Sequence, residues 1–203
     1  MNNQSVVVGC GSNVIAMPVV EKLVIRMGIK GIHRVKENKD FVWMKVAAGE
    51  NWDSLVRILV KKNIFGLENL ALIPGLVGAA PIQNIGAYGR EVSEFVEEIQ
   101  VFDKSGEERT QKAPACGFGY RTSIFKSNND LIVGSVTFKL LKRPEPKIEY
   151  PDLKNLLNSL NLRVLFKLLI VNLMSAALPE IVPFTPSLEI IIVPLIFLSL
   201  IHI

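Results

Sequence analysis

Residues 74–89 read PGLVGAAPIQNIGAYG, and the interpretation of the chain starts from this uncharged stretch. It holds four glycines, two prolines and three alanines, so a flat or bulky ligand could lie directly against the backbone. Gln83 and Asn84 add amides that can bond ring heteroatoms or phosphate oxygens. Tight packing between two elements would explain the small residues but explains the amides less well. Composition alone leaves ligand contact and packing open.

A second glycine-containing loop lies near the start of the chain, in VVVGCGSNVI. Gly9 and Gly11 would let successive backbone N–H groups form a nest for an anion, and Ser12 and Asn13 add side-chain donors. The third glycine of the dinucleotide-binding fingerprint is absent, which argues against that fold. Taken alone, a Gly-Ser-Asn loop is more often a plain turn.

A third cluster reads CGFGYRTSIFK and places Arg121 between the aromatic residues Phe118 and Phe125. A guanidinium among apolar neighbours needs a partner. A structural carboxylate such as Asp130 is one candidate, and a carboxylate, phosphate or developing oxyanion on a substrate is another. The surroundings alone favour the salt bridge.

Composition sets broad limits on the function. The 203 residues are 49% hydrophobic and 21% charged, with a net charge of +4 that is scattered along the chain and predicts no nucleic-acid partner. Cys10 and Cys116 are isolated, which predicts free, buried thiols in a reducing compartment. His33 and His202 are also isolated, so we expect no metal site.

Hydrophobic periodicity predicts a mixed α/β region. Short β-branched runs predict strands in SVVVG, KLVIRM, FVWMKVAAG, FVEEIQVFD and DLIVGSVTFKLL. The segment ENWDSLVRILVKKN predicts a helix that begins at Asn51 or Asp53 as its cap. The helix should bury one stripe of residues, namely Trp52, Leu55, Val56, Leu59 and Val60. A hairpin is predicted at DKSGEER.

Residues 164–203 differ from everything before them. They contain three charged residues, four prolines and no glycine, without helical or strand periodicity. The uncharged run 190–203 is shorter than the roughly 20 residues that a membrane-spanning helix needs. A damaged reading frame or misassembled terminus explains this composition best, and a membrane anchor is the alternative.

Four stretches together resemble a known family. In order, GCGSNV, AAGENWDSLV, GLENLALIPGLVGAAPIQNIGAYG and FGYRTSIFK resemble motifs of the UDP-N-acetylenolpyruvoylglucosamine reductases, over residues 4–160. The resemblance implies an α+β fold with a FAD-binding domain of the vanillyl-alcohol-oxidase (PCMH-like) type. It places that domain at 1–143, the start of a substrate-binding domain at 144–163, and an aberrant apolar tail at 164–203.

The family's chemistry is a reduction in peptidoglycan precursor synthesis, carried out in the cytoplasm. The resemblance implies that NADPH passes a hydride to FAD, and that FAD passes a hydride to UDP-N-acetylglucosamine enolpyruvate, giving UDP-N-acetylmuramate. Arg121 matches the catalytic arginine that stabilises developing charge, while Tyr120 and Tyr150 match substrate-side residues. The residues implied to bind FAD are Gly9, Gly11, Ser12, Asn13, Pro74, Gly75, Gly78, Ala79, Pro81, Asn84, Gly86 and Ala87.

The sequence also departs from the family pattern. The usual N-terminal segment, the late serine motif that donates a proton and the late catalytic glutamate are not found in it. Since general acid help is commonly worth about 10²–10⁴-fold, we expect impaired turnover. Two alternatives stay open: a flavin-binding remnant without turnover, and a membrane-tethered protein that uses the 164–203 tail.

Overall fold

The computed structural model describes residues 5–16, 18–19, 21–103, 105–145 and 147. Nine strands and two helices form in this part of the chain. The strands are β1 (Ser5–Val8), β2 (Leu23–Arg26), β3 (Ile32–Glu37), β4 (Phe41–Ala47), β5 (Gly86–Ala87), β6 (Arg90–Glu91), β7 (Val96–Phe102), β8 (Glu108–Lys112) and β9 (Ile132–Leu141). The helices are α1 (Trp52–Lys61) and the short α2 (Ile124–Ser127), and short 3₁₀ turns include Glu68–Leu70, Val77–Ala79 and Val92–Glu94.

A five-stranded antiparallel sheet forms the centre of the fold, in the order β3-β4-β9-β7-β8. Strand β4 alternates between buried and half-buried residues, as a strand with one face on the core should. Val42, Met44 and Val46 pair with Leu140, Phe138 and Val136 of β9, and all six side chains are buried. This paired apolar face is the surface on which α1 packs.

Helix α1 forms and packs as its sequence predicts. The Asn51 side chain accepts a hydrogen bond from the backbone N–H of Ser54 at 2.9 Å, so Asn51 is the cap and Asp53 is not. All five residues of the predicted stripe are buried. Trp52 packs edge-on against Phe138 at 6.0 Å and donates its indole N–H to the carbonyl of Leu70 at 2.7 Å. The helix therefore fixes the chain just before residues 73–85.

Strands β1 and β2 form a separate parallel pair. The pair is joined to the main sheet through the following segment, where Gly49 donates to the carbonyl of Ile29 and Ala47 to that of Gly31. Strand β2 is exposed along its whole length, and Ile15 in the β1–β2 connection is 98% exposed. This pair carries the glycine-containing loop 9–13.

Most of the predicted elements are confirmed. Each predicted β-branched run contains a strand, and the DKSGEER hairpin joins β7 to β8 with Gly106 at φ 85°. Strand β3 was not predicted, because IHRVKE is a largely exposed edge strand with little apolar content. Cys116 is buried as expected, but the prediction of a buried Cys10 is wrong: this thiol lies on the exposed loop.

Some predictions fall on residues that the structure does not describe. Tyr150, the 164–203 tail and most of 144–163 lie outside the described residues. Across the described ranges, no helix has the length and apolar character needed to cross a membrane.

Candidate functional site

A cavity of about 170 Å³ lies between the two glycine-containing loops. Its lining residues carry no formal charge and are Ser12, Asn13, Trp52, Ile73, Pro74, Gly75, Leu76, Ala79, Ala80, Gln83 and Ile85. Pockets that enclose a drug-sized ligand usually measure about 300–1,000 Å³, so this cavity suits one part of a larger ligand. The two loops that hold the residues implied to bind FAD therefore face one cavity.

Residues 73–85, here called the inner wall, are tied to the core by backbone bonds. The Gly75 carbonyl accepts from Trp52 N–H at 3.1 Å, and Gly78 N–H donates to the carbonyl of Ala48 at 2.9 Å. A Cβ on Gly78 would stand 2.5 Å from Ala48 Cβ, which no real packing tolerates. Gly75 has φ 138°, a conformation that favours glycine. The small residues of this wall therefore have a packing reason as well as a ligand-facing one.

Residues 9–13, here called the outer wall, are much less supported. Ser12 and Asn13 are exposed, and no described atom lies within 4 Å of where a Cβ on Gly11 would stand. A Cβ added to Gly9 would stand 3.5 Å from Leu76 Cδ1, an ordinary van der Waals contact. Asn13 Nδ2 donates to Gln83 Oε1 at 3.1 Å, a side-chain bond that joins the two walls.

The predicted cofactor residues divide into two groups. Those that line the cavity are Ser12, Asn13, Pro74, Gly75 and Ala79. Those that support or flank it without lining it are Gly9, Gly11, Gly78, Pro81, Asn84, Gly86 and Ala87. The cavity also uses Trp52, which the sequence marked only as part of the buried stripe of α1, and Ile73 and Ile85, which the sequence analysis did not single out.

Asn84 serves the fold through its side chain. It is 0% exposed and has φ 45°. Its Nδ2 donates to Glu91 Oε2 at 2.8 Å and to the Gly119 carbonyl at 3.0 Å, and its Oδ1 accepts from Ser93 N–H at 3.1 Å. The amide thus braces three segments, so any ligand contact by Asn84 falls to its backbone.

Arg121 lies beside residues 84–86, at the end of the inner wall. Its Nη1 donates to the Asn84 carbonyl at 3.4 Å and its Nη2 to the Gly86 carbonyl. Its Nε is buried and has no hydrogen-bond partner among the described residues. Its guanidinium lies 5.5 Å from the ring centre of Tyr120, which is 80% exposed. The hydrogen bonds that the guanidinium donates to described residues go to these two carbonyls, and Tyr150, the other residue matched to the substrate side, lies outside the described residues.

Glu68 is a second unusual buried group. It is 6% exposed; its Oε2 accepts from Gly66 N–H, while its Oε1 has no partner within the described ranges. Loss of solvent on burial raises the pKa of this carboxyl above its usual 4.5. Burial likewise raises the pKa of the Cys116 thiol to about 11, which disfavours its reactive thiolate form at neutral pH.

Comparison with known proteins identifies relatives over most of the chain. Residues 2–111 match the family described as FAD binding domain. The UDP-N-acetylenolpyruvoylglucosamine reductase of Amoebophilus asiaticus is 44% identical over 161 residues, which is 78% of this chain and 48% of that protein. The enzyme of the same name from Pseudoalteromonas translucida is 46% identical over 73% of this chain and 45% of its own length. The chain spans about half the length of the curated relatives it matches.

A solved structure is also similar. The crystal structure of UDP-N-acetylenolpyruvylglucosamine reductase from Thermus caldophilus is 28% identical, with a TM-score of 0.56, covering 77% of this chain and 55% of that one. The sequence resemblance to this reductase family is confirmed, as is the α+β fold with a FAD-binding domain of the PCMH-like type.

The residues at the cavity are chemically suited to FAD. Exposed donors at Ser12 and Asn13 can meet phosphate oxygens, and open space lies above Gly11. The small side chains of the inner wall admit a flat ring close to the backbone. An uncharged lining also leaves nothing to repel the pyrophosphate.

Proposed function

The chain belongs to the FAD binding domain family, and on this premise we propose that it holds FAD between its inner and outer walls. In this arrangement the donors of Ser12 and Asn13 face the phosphates, and the surface around Gly75 and Ala79 receives the flat ring system. Trp52 and Ile73 close the base of the cavity. Gly78 contributes by holding the inner wall in place through its backbone bond to Ala48.

We further propose that the chain takes part in reducing UDP-N-acetylglucosamine enolpyruvate to UDP-N-acetylmuramate with NADPH in the cytoplasm. The names and identities of the relatives support this reaction, although the chain spans only about half their length. Bound FAD would supply hydride transfer between NADPH and the substrate. The protein's own residues would bind, orient and stabilise charge.

The observation that carries the reaction is the state of Arg121. Its guanidinium donates to the Asn84 and Gly86 carbonyls, next to the cavity, while its buried Nε–H has no partner among the described residues. A buried donor without a partner is costly unless a ligand completes it. We propose that the substrate carboxylate or its developing enolate oxygen is that ligand. Tyr120 and Tyr150 remain proposed substrate neighbours.

The test is flavin spectroscopy on the purified chain and its Arg121→Lys variant. With wild type, we expect FAD to bind, NADPH to bleach the flavin absorbance, and substrate to restore it. Lysine cannot reproduce the fork of arginine, so Arg121→Lys should slow the substrate-dependent recovery by about 10²-fold and leave the NADPH step unchanged. Arg109→Lys, on the exposed strand β8, is the matched control.

The possible results separate the proposals. Equal recovery in wild type and Arg121→Lys would contradict the role of Arg121. Flavin that binds and bleaches but never recovers in wild type would favour a flavin-binding protein without turnover. A chain that binds no FAD would contradict the cofactor site itself.

A further inference from the structure

We propose that Asn84 and Glu91 are positioning residues that hold Arg121 in its working conformation, and that the Asn84 side chain does not bind FAD. This inference rests on the proposed function only for the role given to Arg121. The positional claim itself stands on hydrogen bonds that the structure shows.

Arg121 adopts a conformation that needs external support. It sits in a tight turn closed by two backbone bonds, from Gly119 N–H to the Thr122 carbonyl at 3.1 Å and in reverse at 3.2 Å. Within this turn Arg121 has φ 52°, in the left-handed region. For a residue with a Cβ this region is unfavourable, so the surrounding contacts must hold it there.

Asn84, in the inner wall, forms two hydrogen bonds with that turn. Its backbone carbonyl accepts a hydrogen bond from Arg121 Nη1. Its Nδ2 donates to the Gly119 carbonyl, where the turn begins. Both hydrogens of the amide are used, since the second goes to Glu91. One buried amide thus fixes both the turn that carries the guanidinium and the carbonyl that the guanidinium touches.

Glu91 in turn fixes the amide of Asn84. Its carboxylate accepts from Asn84 at 2.8 Å and from the backbone N–H of Glu94, while Glu91 N–H donates to the Glu94 carboxylate at 2.8 Å. This reciprocal capping box anchors Glu91 at the start of the 3₁₀ turn Val92–Glu94. The acceptor is therefore held in one place before any ligand arrives.

Gly86 makes room for the arrangement. A Cβ there would stand 2.8 Å from Arg121 Nη1 and 3.2 Å from Glu91 Cγ. The glycine therefore lets the guanidinium reach the Gly86 carbonyl beside the carboxylate. Its small size has a structural reason that composition alone could not separate from contact with a cofactor.

Without the two Asn84 donors, the Gly119 turn loses one bond to the inner wall and keeps those from Arg121 Nη1 to the Asn84 carbonyl and from Ser123 Oγ to the Ile82 carbonyl. The guanidinium is then held less firmly in one direction. The expected consequence is a slower step at the substrate with little change in FAD affinity. Asn84→Asp is the sharpest substitution, because it keeps the size and left-handed tolerance of the residue while removing both donors. It also sets a carboxylate against Glu91.

The experiment follows the reactivity of Arg121 toward phenylglyoxal by peptide mass spectrometry, normalised to Arg109, with FAD affinity measured alongside. Asn84→Asp and Glu91→Ala should raise Arg121 reactivity by about tenfold, the effect expected from losing one charge-assisted hydrogen bond. Glu91→Gln keeps an oxygen for the Asn84 amide and should stay within about threefold of wild type. Ser135→Ala on β9 removes a similarly buried bond to Gln100 on β7 and should change nothing at Arg121.

Each outcome decides the inference. It is supported if Arg121 reactivity rises in Asn84→Asp and Glu91→Ala while FAD affinity stays within about twofold. It is overturned if reactivity is unchanged, or if Asn84→Asp weakens FAD binding about tenfold or more, as a lost ligand contact would. Should Asn84→Asp fail to fold, the difference between Glu91→Ala and Glu91→Gln decides, and equal reactivity in both overturns it. Because the readout is chemical modification, an absence of turnover in wild type contradicts the proposed function and leaves this test intact.

Discussion

The two walls of the cavity are built in opposite ways. The inner wall is hydrogen-bonded to the backbone of α1 and of the connection between β4 and α1. Gly78 packs against Ala48 with no space for a side chain. The outer wall follows β1 of the exposed two-stranded pair. No described atom lies within 4 Å of where a Cβ on Gly11 would stand. We infer that the inner wall is preorganised. If FAD binds between the walls as proposed, it should supply much of the support for the outer wall.

Matched glycine substitutions should give the largest contrast between the walls. Gly78→Ala drives a Cβ to 2.5 Å from Ala48 Cβ and 3.1 Å from its Cα, so backbone must move. We expect it to lower the free energy of unfolding by about 1–3 kcal/mol, measured by urea denaturation. Gly9→Ala meets only ordinary contact with Leu76 and should cost less than about 0.5 kcal/mol. Similar losses in the two variants would show that the walls are equally constrained.

The next largest effect is expected at the 3₁₀ turn Glu68–Leu70, which precedes the inner wall. Glu68→Ala removes the acceptor of the buried Gly66 N–H and should destabilise the chain by about 1–2 kcal/mol. The paired variant Glu68→Gln keeps an oxygen that can accept the Gly66 hydrogen bond but cannot ionise. Comparing its stability with that of wild type therefore isolates the effect of the buried negative charge.

The Glu68→Gln comparison depends on pH in a defined direction. Because burial raises the pKa of this carboxyl, the folded wild type binds a proton more tightly than the unfolded chain, and its stability falls as pH rises above 4.5. Glutamine does not titrate. The stability of Glu68→Gln relative to wild type should therefore increase between acid and neutral pH, as followed by urea unfolding. A constant difference would refute the raised pKa.

The smallest stability effect is expected at the outer wall. Asn13 is exposed, so Asn13→Ala should change the free energy of unfolding by less than about 0.5 kcal/mol. If Asn13 faces the cofactor, the same variant should weaken FAD binding by about three- to tenfold in a fluorescence titration. Asn128→Ala, at the exposed end of α2, is the control for amide loss away from both walls. Unchanged affinity in Asn13→Ala would remove Asn13 from the site.

Local sequence predicted those elements whose determinants lie close together in the chain. The stripe of α1 and its cap at Asn51 need only a few turns of sequence to be recognised. The strands β4, β7 and β9 were predictable because their β-branched runs are buried in a central sheet. Strand β3 was missed because an exposed edge strand places few demands on its residues.

The roles within the site were harder to predict, because they depend on distant partners. Asn84 looked like a ligand residue, yet its amide is engaged by Gly119, 35 positions later, and by Glu91 and Ser93. The choice at Arg121 between a salt bridge and a substrate depended on knowing that its neighbours are the Asn84 and Gly86 carbonyls. Residue type identified these positions, and only the folded chain distinguishes support from contact.

Hydrogen exchange of the chain with and without FAD, followed by mass spectrometry, tests the central claim most directly. If FAD binds between the two walls, the backbone amides of 9–13 should slow most, because they are exposed and weakly supported without it. Those of 73–85 should slow less, since several are already bonded to the core. Bound FAD that leaves both loops unprotected, or protects only segments away from them, would contradict the account.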